Sequence, residues 1–101
     1  MLEDYIRNKQ KEKDILLMAH VVLGYPSIEE TFDLVRTIVE AGVDLMELQM
    51  PFSEPIADGP VILQASQAAL ADGVRVDDCF RLARKITDAF DIPFLFMTYY
   101  N

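Results

Sequence analysis

The sequence predicts an α/β fold built on a parallel sheet, because short apolar runs of strand length alternate with stretches whose apolar residues recur at helical spacing. The runs are Ile15 to Val22, Asp44 to Met50 and Ile92 to Thr98. Helical stretches lie before the first run and between the first and second, and a pair of them separates the second from the third. Strands connected in this way pair in parallel through right-handed crossovers. Two architectures satisfy the order, a doubly wound sheet and the beginning of a (β/α)8 barrel. A dinucleotide-binding version of the first needs a glycine-rich turn after the first strand, and Gly24 stands there alone.

Each element has a local reason. Leu2, Tyr5 and Ile6 share a helical face among charged residues, which predicts a short charged helix at the start. Ile15 to Val22 is nearly continuous in apolar residues, the pattern of a strand buried on both faces, and Gly24-Tyr25-Pro26 stops it. Ser27-Ile28-Glu29-Glu30 reads as a capping box, with the Ser27 hydroxyl and the Glu30 carboxylate each accepting the other's backbone N–H. Phe32, Val35, Ile38 and Val39 then form the apolar stripe of a helix that ends at Gly42. Asp44 to Met50 is the second strand and Pro51 to Pro60 a proline-rich loop. Val61 to Ala71 is a helix with Pro60 in its first turn and Gly73 just past its end. The next helix runs from about Asp77 to Phe90, on the shared face of Cys79, Leu82, Ala83, Ile86 and Phe90. Ile92 to Thr98 is a third buried strand. No repeat or linker interrupts residues 1–101, which read as part of a single domain.

Composition narrows the function. Apolar residues make up 51% and charged residues 26% of the chain, the mix of a globular protein. Seventeen acidic residues against nine basic ones give a net charge of −8, which repels nucleic acid and anionic membrane surfaces alike. The charged N-terminal segment lacks the apolar core of a secretory signal. Ile15 to Leu23, the longest apolar stretch, is about half the length that crosses a bilayer. Cys79 has no second cysteine to pair with, so the cytoplasm is the expected compartment.

In the second strand Leu45, Glu47 and Gln49 alternate with Met46, Leu48 and Met50. The purely apolar side belongs under the helices, which sends Glu47 and Gln49 to the other side near the strand's C-terminal end. Active sites of barrels and of open α/β sheets both lie at that end. Pattern alone leaves Glu47 open between a structural ion pair and a catalytic carboxylate. It leaves Asp58 open between an Asx-type turn residue and a site residue. His20 reads as a hydrogen-bonded histidine of the strand, Tyr99 as an aromatic that ends one, and Cys79 as core.

Glu47 opens the segment Glu47-Leu48-Gln49-Met50-Pro51-Phe52-Ser53-Glu54-Pro55-Ile56-Ala57-Asp58-Gly59-Pro60. It resembles the Glu-Leu-Gly-x-Pro-Phe-Ser-Asp-Pro-x-Ala-Asp-Gly-Pro signature of the tryptophan synthase α-subunit family, departing from it at Gln49 and Glu54. Gly24-Tyr25-Pro26 and Met97-Thr98-Tyr99-Tyr100-Asn101 extend the likeness on both sides. The resemblance implies a (β/α)8 TIM barrel, of which this sequence would be the N-terminal part, arranged α-β-α-β-α-α-β with three parallel strands. It implies a lyase that cleaves indole-3-glycerol phosphate to indole and glyceraldehyde 3-phosphate without a metal or organic cofactor. Glu47 and Asp58 take the family's catalytic positions. Tyr99 and His20 take positions at the indole pocket, where the family usually has Phe or Tyr in place of His20, and Val22 replaces a common threonine. Gln49 stands where the signature has glycine, and a His20–Gln49 pair would reshape that pocket. Pro51, Phe52, Ser53, Glu54, Pro55 and Asn101 fall where the family meets its β subunit in an αββα complex; as residues alone they also suit a stiff surface loop and a turn. Since a barrel of this kind takes about 250 residues, the phosphate-binding loops are expected beyond this sequence, and the 101-residue piece is expected to be inactive alone. Two other readings remain at this point: an interaction module that keeps the β-subunit contact loop without turnover, and another phosphate-substrate barrel enzyme.

Overall fold

Seven elements follow in the order α-β-α-β-α-α-β in a computed structural model that describes residues 2–13, 15–51 and 59–98. They are α1 (Leu2–Glu12), β1 (Met18–Val22), α2 (Ile28–Glu40), β2 (Leu45–Gln49), α3 (Pro60–Ala71), α4 (Val76–Ala89) and β3 (Phe94–Met97). The Ser27 hydroxyl starts α2 by accepting the Glu30 N–H at 3.0 Å, the Ser27 half of the expected capping box. Glu29 and Glu30 in that first turn also complement the positive end of the helix dipole. Pro60 occupies the first turn of α3, as its fixed φ and missing N–H favour. In α4 the Asp78 carboxylate accepts the Arg75 N–H at 2.9 Å, which sets the helix start at Val76 rather than Asp77. Among the described residues no helix is long and apolar enough to cross a membrane.

The strands form one parallel sheet in the order β1-β2-β3, with β2 in the centre. Met46, Leu48 and Met50 face the helices and join Val21, Leu23, Val35, Ala69, Cys79, Leu82 and Ile86 in the core. Each Val, Leu, Ile or Met side chain among them contributes roughly 1.5–3 kcal/mol by leaving water. Between α2 and α4, the Phe32 and Phe90 rings meet at 5.5 Å.

The strand ends correct the sequence reading. β1 begins at Met18 instead of Ile15, and Ile15, Leu17 and Met18 are 74%, 58% and 55% exposed rather than buried. The ladder starts only where Met18 meets Leu45. Before it, the Leu17 backbone is held by Asp44: its N–H donates to Oδ2 at 2.9 Å and its carbonyl accepts the Asp44 N–H at 2.9 Å. β3 is shorter than Ile92 to Thr98, and among the described residues, where β2 is its one neighbouring strand, it is partly buried. Pro93 has no N–H for the ladder, although its carbonyl accepts the Met46 N–H at 3.1 Å.

Asp44 is the hub at the N-terminal end of the sheet. Its side chain is 3% exposed and takes Lys13 Nζ at 2.7 Å, while the Tyr5 hydroxyl donates to its carbonyl at 2.9 Å. Tyr5 thus pins α1, and Lys13 the segment just after it, to the start of β2. The Lys13 hydrogen bond, then the Leu17 N–H, hold the Asp44 carboxyl below the ordinary aspartate range against the opposing effect of burial. A group whose pKa is lowered on folding stabilises the fold above its unfolded value and loses that contribution as pH falls through the folded one. In the complete protein, Asp44→Asn should therefore be less stable than wild type at pH 7. The gap should close as pH falls below about 4, which urea unfolding at neutral and acid pH would measure. A gap that stays constant would mean that charge at Asp44 contributes nothing.

Gly24, in the turn after β1, has φ +89°, and a Cβ there would lie 2.7 Å from Val74 Cγ2. Its N–H donates to Thr31 Oγ1 at 3.1 Å, and the Thr31 hydroxyl donates on to the Ser27 carbonyl at 2.6 Å, tying the turn to α2. Gly24→Ala combines a left-handed backbone with a clash and should cost about 2–4 kcal/mol in denaturant unfolding. Adding Val74→Ala relieves only the clash, so the double variant should lose less than the sum of the two singles.

Candidate active site

The central position of β2 decides what surrounds its side chains. Parallel pairing places His20 of β1 opposite Glu47, and Leu95 of β3 opposite Glu47 on the other side. Two residues on, Val22 and Met97 flank Gln49 in the same way. Glu47 and Gln49 therefore lie on the face away from Met46, Leu48 and Met50, as the alternation predicts.

Three polar side chains meet there. The His20 ring reaches across to β2, with Nδ1 3.1 Å from Glu47 Oε1 and Nε2 2.5 Å from Gln49 Oε1. The expected His20–Gln49 pair is thus present, and Glu47 joins it. Gln49 is fully buried, whereas the His20 and Glu47 side chains remain 31% and 21% exposed. Glu47 opens on a hollow of about 350 Å³ lined with Leu95, Phe96, Met97 and Thr98. His20 borders another of about 200 Å³ with Val22, Tyr25, Val61 and Ile62. A carboxyl group in such a place can exchange protons with a bound molecule while one oxygen stays hydrogen-bonded to protein.

The other residues named from sequence fall elsewhere. Pro51 is buried and borders a hollow of about 400 Å³ with Met50, Leu70, Val74 and Arg75. Asp58, Phe52, Ser53, Glu54, Pro55, Tyr99 and Asn101 lie outside the described residues. Cys79 is core, as expected: burial first, and then the Asp78 charge, push its thiol up to about 11, which leaves no thiolate for chemistry near neutrality. Sequence reasoning missed Leu95 and Met97 beside Glu47 and Gln49. Their alternation in β3 was visible, but the register that brings them to β2 was not.

A comparison with protein families decides what this arrangement belongs to. The family described as tryptophan synthase alpha chain matches residues 6–101. The chain belongs to the tryptophan synthase alpha chain family. Over all 101 residues it is 68% identical to the tryptophan synthase alpha chain of Syntrophotalea carbinolica and 64% identical to that of Desulforapulum autotrophicum. It spans about 40% of the length of each of these relatives. Among solved structures it resembles tryptophan synthase subunit alpha of Legionella pneumophila, with a TM-score of 0.83 and 33% identity over 96% of this chain and 37% of that one. The tryptophan synthase complex of Pyrococcus furiosus gives a TM-score of 0.79 and 30% identity over 85% of this chain and 35% of that one. The choice between the two architectures is thereby made. This α-β-α-β-α-α-β run is the N-terminal part of a (β/α)8 barrel. In a barrel of this family the helices lie outside, so the face with His20, Glu47 and Gln49 looks into the barrel toward its C-terminal mouth.

Proposed function

We propose that the complete protein bearing this chain cleaves indole-3-glycerol phosphate to indole and glyceraldehyde 3-phosphate, a retro-aldol lyase step in tryptophan biosynthesis. The observation that carries the reading is the position of Glu47, a part-exposed carboxyl on the inward face of the central strand, in a chain of the tryptophan synthase alpha chain family. The chemistry asks for one group that is first an acid and then a base. Glu47 gives a proton to indole C3, and the new C3–H bond turns the ring into a cationic electron sink. The resulting carboxylate takes the proton of the side-chain hydroxyl next to C3. The O–H electron pair becomes the aldehyde C=O, the C3–carbon bond breaks, and its electrons neutralise the ring nitrogen. Asp58 accepts the indole N–H and stabilises the cation. These proton transfers need carboxyl groups and neither a metal nor an organic cofactor.

Tyr99 contacts the indole ring in this reading and His20 borders its pocket, while Gln49, fully buried, shapes that pocket through its hydrogen bond to His20. The segment Pro51, Phe52, Ser53, Glu54 and Pro55, with Asn101, meets a β subunit in an αββα assembly, and the Pyrococcus furiosus relative, solved as a tryptophan synthase complex, supports that partner. The single cysteine, Cys79, favours the cytoplasm. Incubating the complete protein with indole-3-glycerol phosphate, with and without a β subunit, tests the reading. Release of indole in step with glyceraldehyde 3-phosphate is expected, and no release under either condition overturns it.

A further inference from the structure

We propose that His20, oriented by Gln49, is a positioning residue that holds Glu47 in the geometry for proton transfer. The proposal rests on the reading of Glu47 as acid and base. It begins from the register, which puts His20 directly across from Glu47, with Gln49 two residues further along β2. The imidazole spans the two, at 3.1 Å from Nδ1 to Glu47 Oε1 and 2.5 Å from Nε2 to Gln49 Oε1. Gln49 is fully buried in the centre of the sheet, so the far end of the ring is fixed by a side chain that has no room to move.

The direction of the Glu47 hydrogen bond follows from the inventory of donors. An ionised carboxylate has no hydrogen to give, so whenever Glu47 is ionised Nδ1–H donates to Oε1. Two arrangements satisfy both contacts at that stage. Either the imidazolium donates from both nitrogens, or a ring protonated on Nδ1 accepts at Nε2 from the Gln49 amide turned to face it. Both leave Oε2 as the oxygen that exchanges the proton with the substrate. Glu47 becomes ionised when it has protonated the indole ring, and a hydrogen bond to a charged acceptor is stronger than one to a neutral acid. The His20 contact thus tightens as charge appears on Glu47, the differential that lowers a barrier rather than merely improving binding.

The test compares His20→Phe, which keeps an aromatic ring and removes the donor, with His20→Asn, whose amide N–H can stand near the place of Nδ1–H. Wild type and Glu47→Gln are assayed alongside in the complete protein. The expected result for His20→Phe is a fall in kcat of roughly tenfold to a hundredfold with KM changed by less than about threefold. His20→Asn should recover most of the loss. Gln49→Met, nearly the same shape without the polar end, should lower kcat in the same direction, and it decides the matter alone if unfolding curves show that His20→Phe has not folded. A His20→Phe enzyme with kcat near wild type overturns the proposal. So does a change confined to KM, which would make His20 no more than a wall of the pocket, or a His20→Asn enzyme as slow as His20→Phe. A wild-type protein that releases no indole, or a Glu47→Gln variant that still does, sinks the acid/base reading itself and this inference with it. An active wild type, an inactive Glu47→Gln and an unaffected His20→Phe sink only the inference.

Discussion

Glu47→Gln in the complete protein should lower kcat for indole release by about 10²–10⁴-fold, the usual contribution of a positioned general acid or base. The amide matches the carboxyl in shape and can still face the His20 ring, so the variant should fold and bind as wild type does. What it lacks is an acidic proton to give to C3 and a basic oxygen to receive the hydroxyl proton. Steady-state kinetics with an unfolding curve for each protein would separate the chemical loss from a structural one. Retention of more than about a tenth of the wild-type kcat, equivalent to under roughly 1.4 kcal/mol of barrier, would mean that another group transfers the proton. In the proposed mechanism Asp58→Asn should also be severe, because it would remove the charge that stabilises the cationic ring while keeping a hydrogen-bond acceptor.

Expressed by itself, the 101-residue chain should release no indole at an enzymic rate and should self-associate. It spans about 40% of its curated relatives. In the proposed reaction, contacts to the substrate phosphate from the remaining length supply the remote binding energy that positions the reacting atoms. The tendency to associate is visible on the surface. Ile15, Leu17, Met18 and Phe96 are exposed, and Phe96 stacks on Phe80, itself exposed, at 5.6 Å. β1 and β3 are the outer strands of the sheet, where unpaired backbone groups invite another strand. The net charge of −8 opposes association, but at physiological salt it acts over only about 8 Å, and burial of the apolar patches wins. Light scattering coupled to size-exclusion chromatography, with near-UV circular dichroism, would show this. A sharp monomer with cooperative unfolding would overturn the association, and turnover near roughly 1 per second would overturn the inactivity.

What could be read from the sequence was whatever depends on neighbours along the chain. The Ser27 cap, Pro60 at the start of α3 and the stripe through Cys79, Leu82 and Ile86 all arise within a few residues, and each appears where it was expected. Alternation in β2 likewise assigned Met46, Leu48 and Met50 to the core and Glu47 and Gln49 to the opposite face, because successive side chains of a strand must point opposite ways. Family likeness supplied the expected chemistry of Glu47, and the His20–Gln49 pair was anticipated from the two departures it involves.

Tertiary structure decided everything that depends on register and on which groups meet across the sheet. Ile15 and Leu17 look like strand core by composition, yet the backbone before Met18 is taken by Asp44, a residue whose role no local pattern announces. Ile92 to Thr98 reads as a buried strand, yet β3 pairs only over Phe94–Met97, a limit set by its alignment with β2. Pairing of β1 with β2 set His20 against Glu47, and pairing of β3 with β2 set Leu95 there as well. A one-residue slip in either register would turn the added side chain to the other face, so the Glu47–His20–Gln49 cluster exists only once the strands are aligned. The residue types were legible from the sequence, and their distances were not, because parallel strands joined through helices acquire their register from packing of the whole sheet rather than from any turn between them.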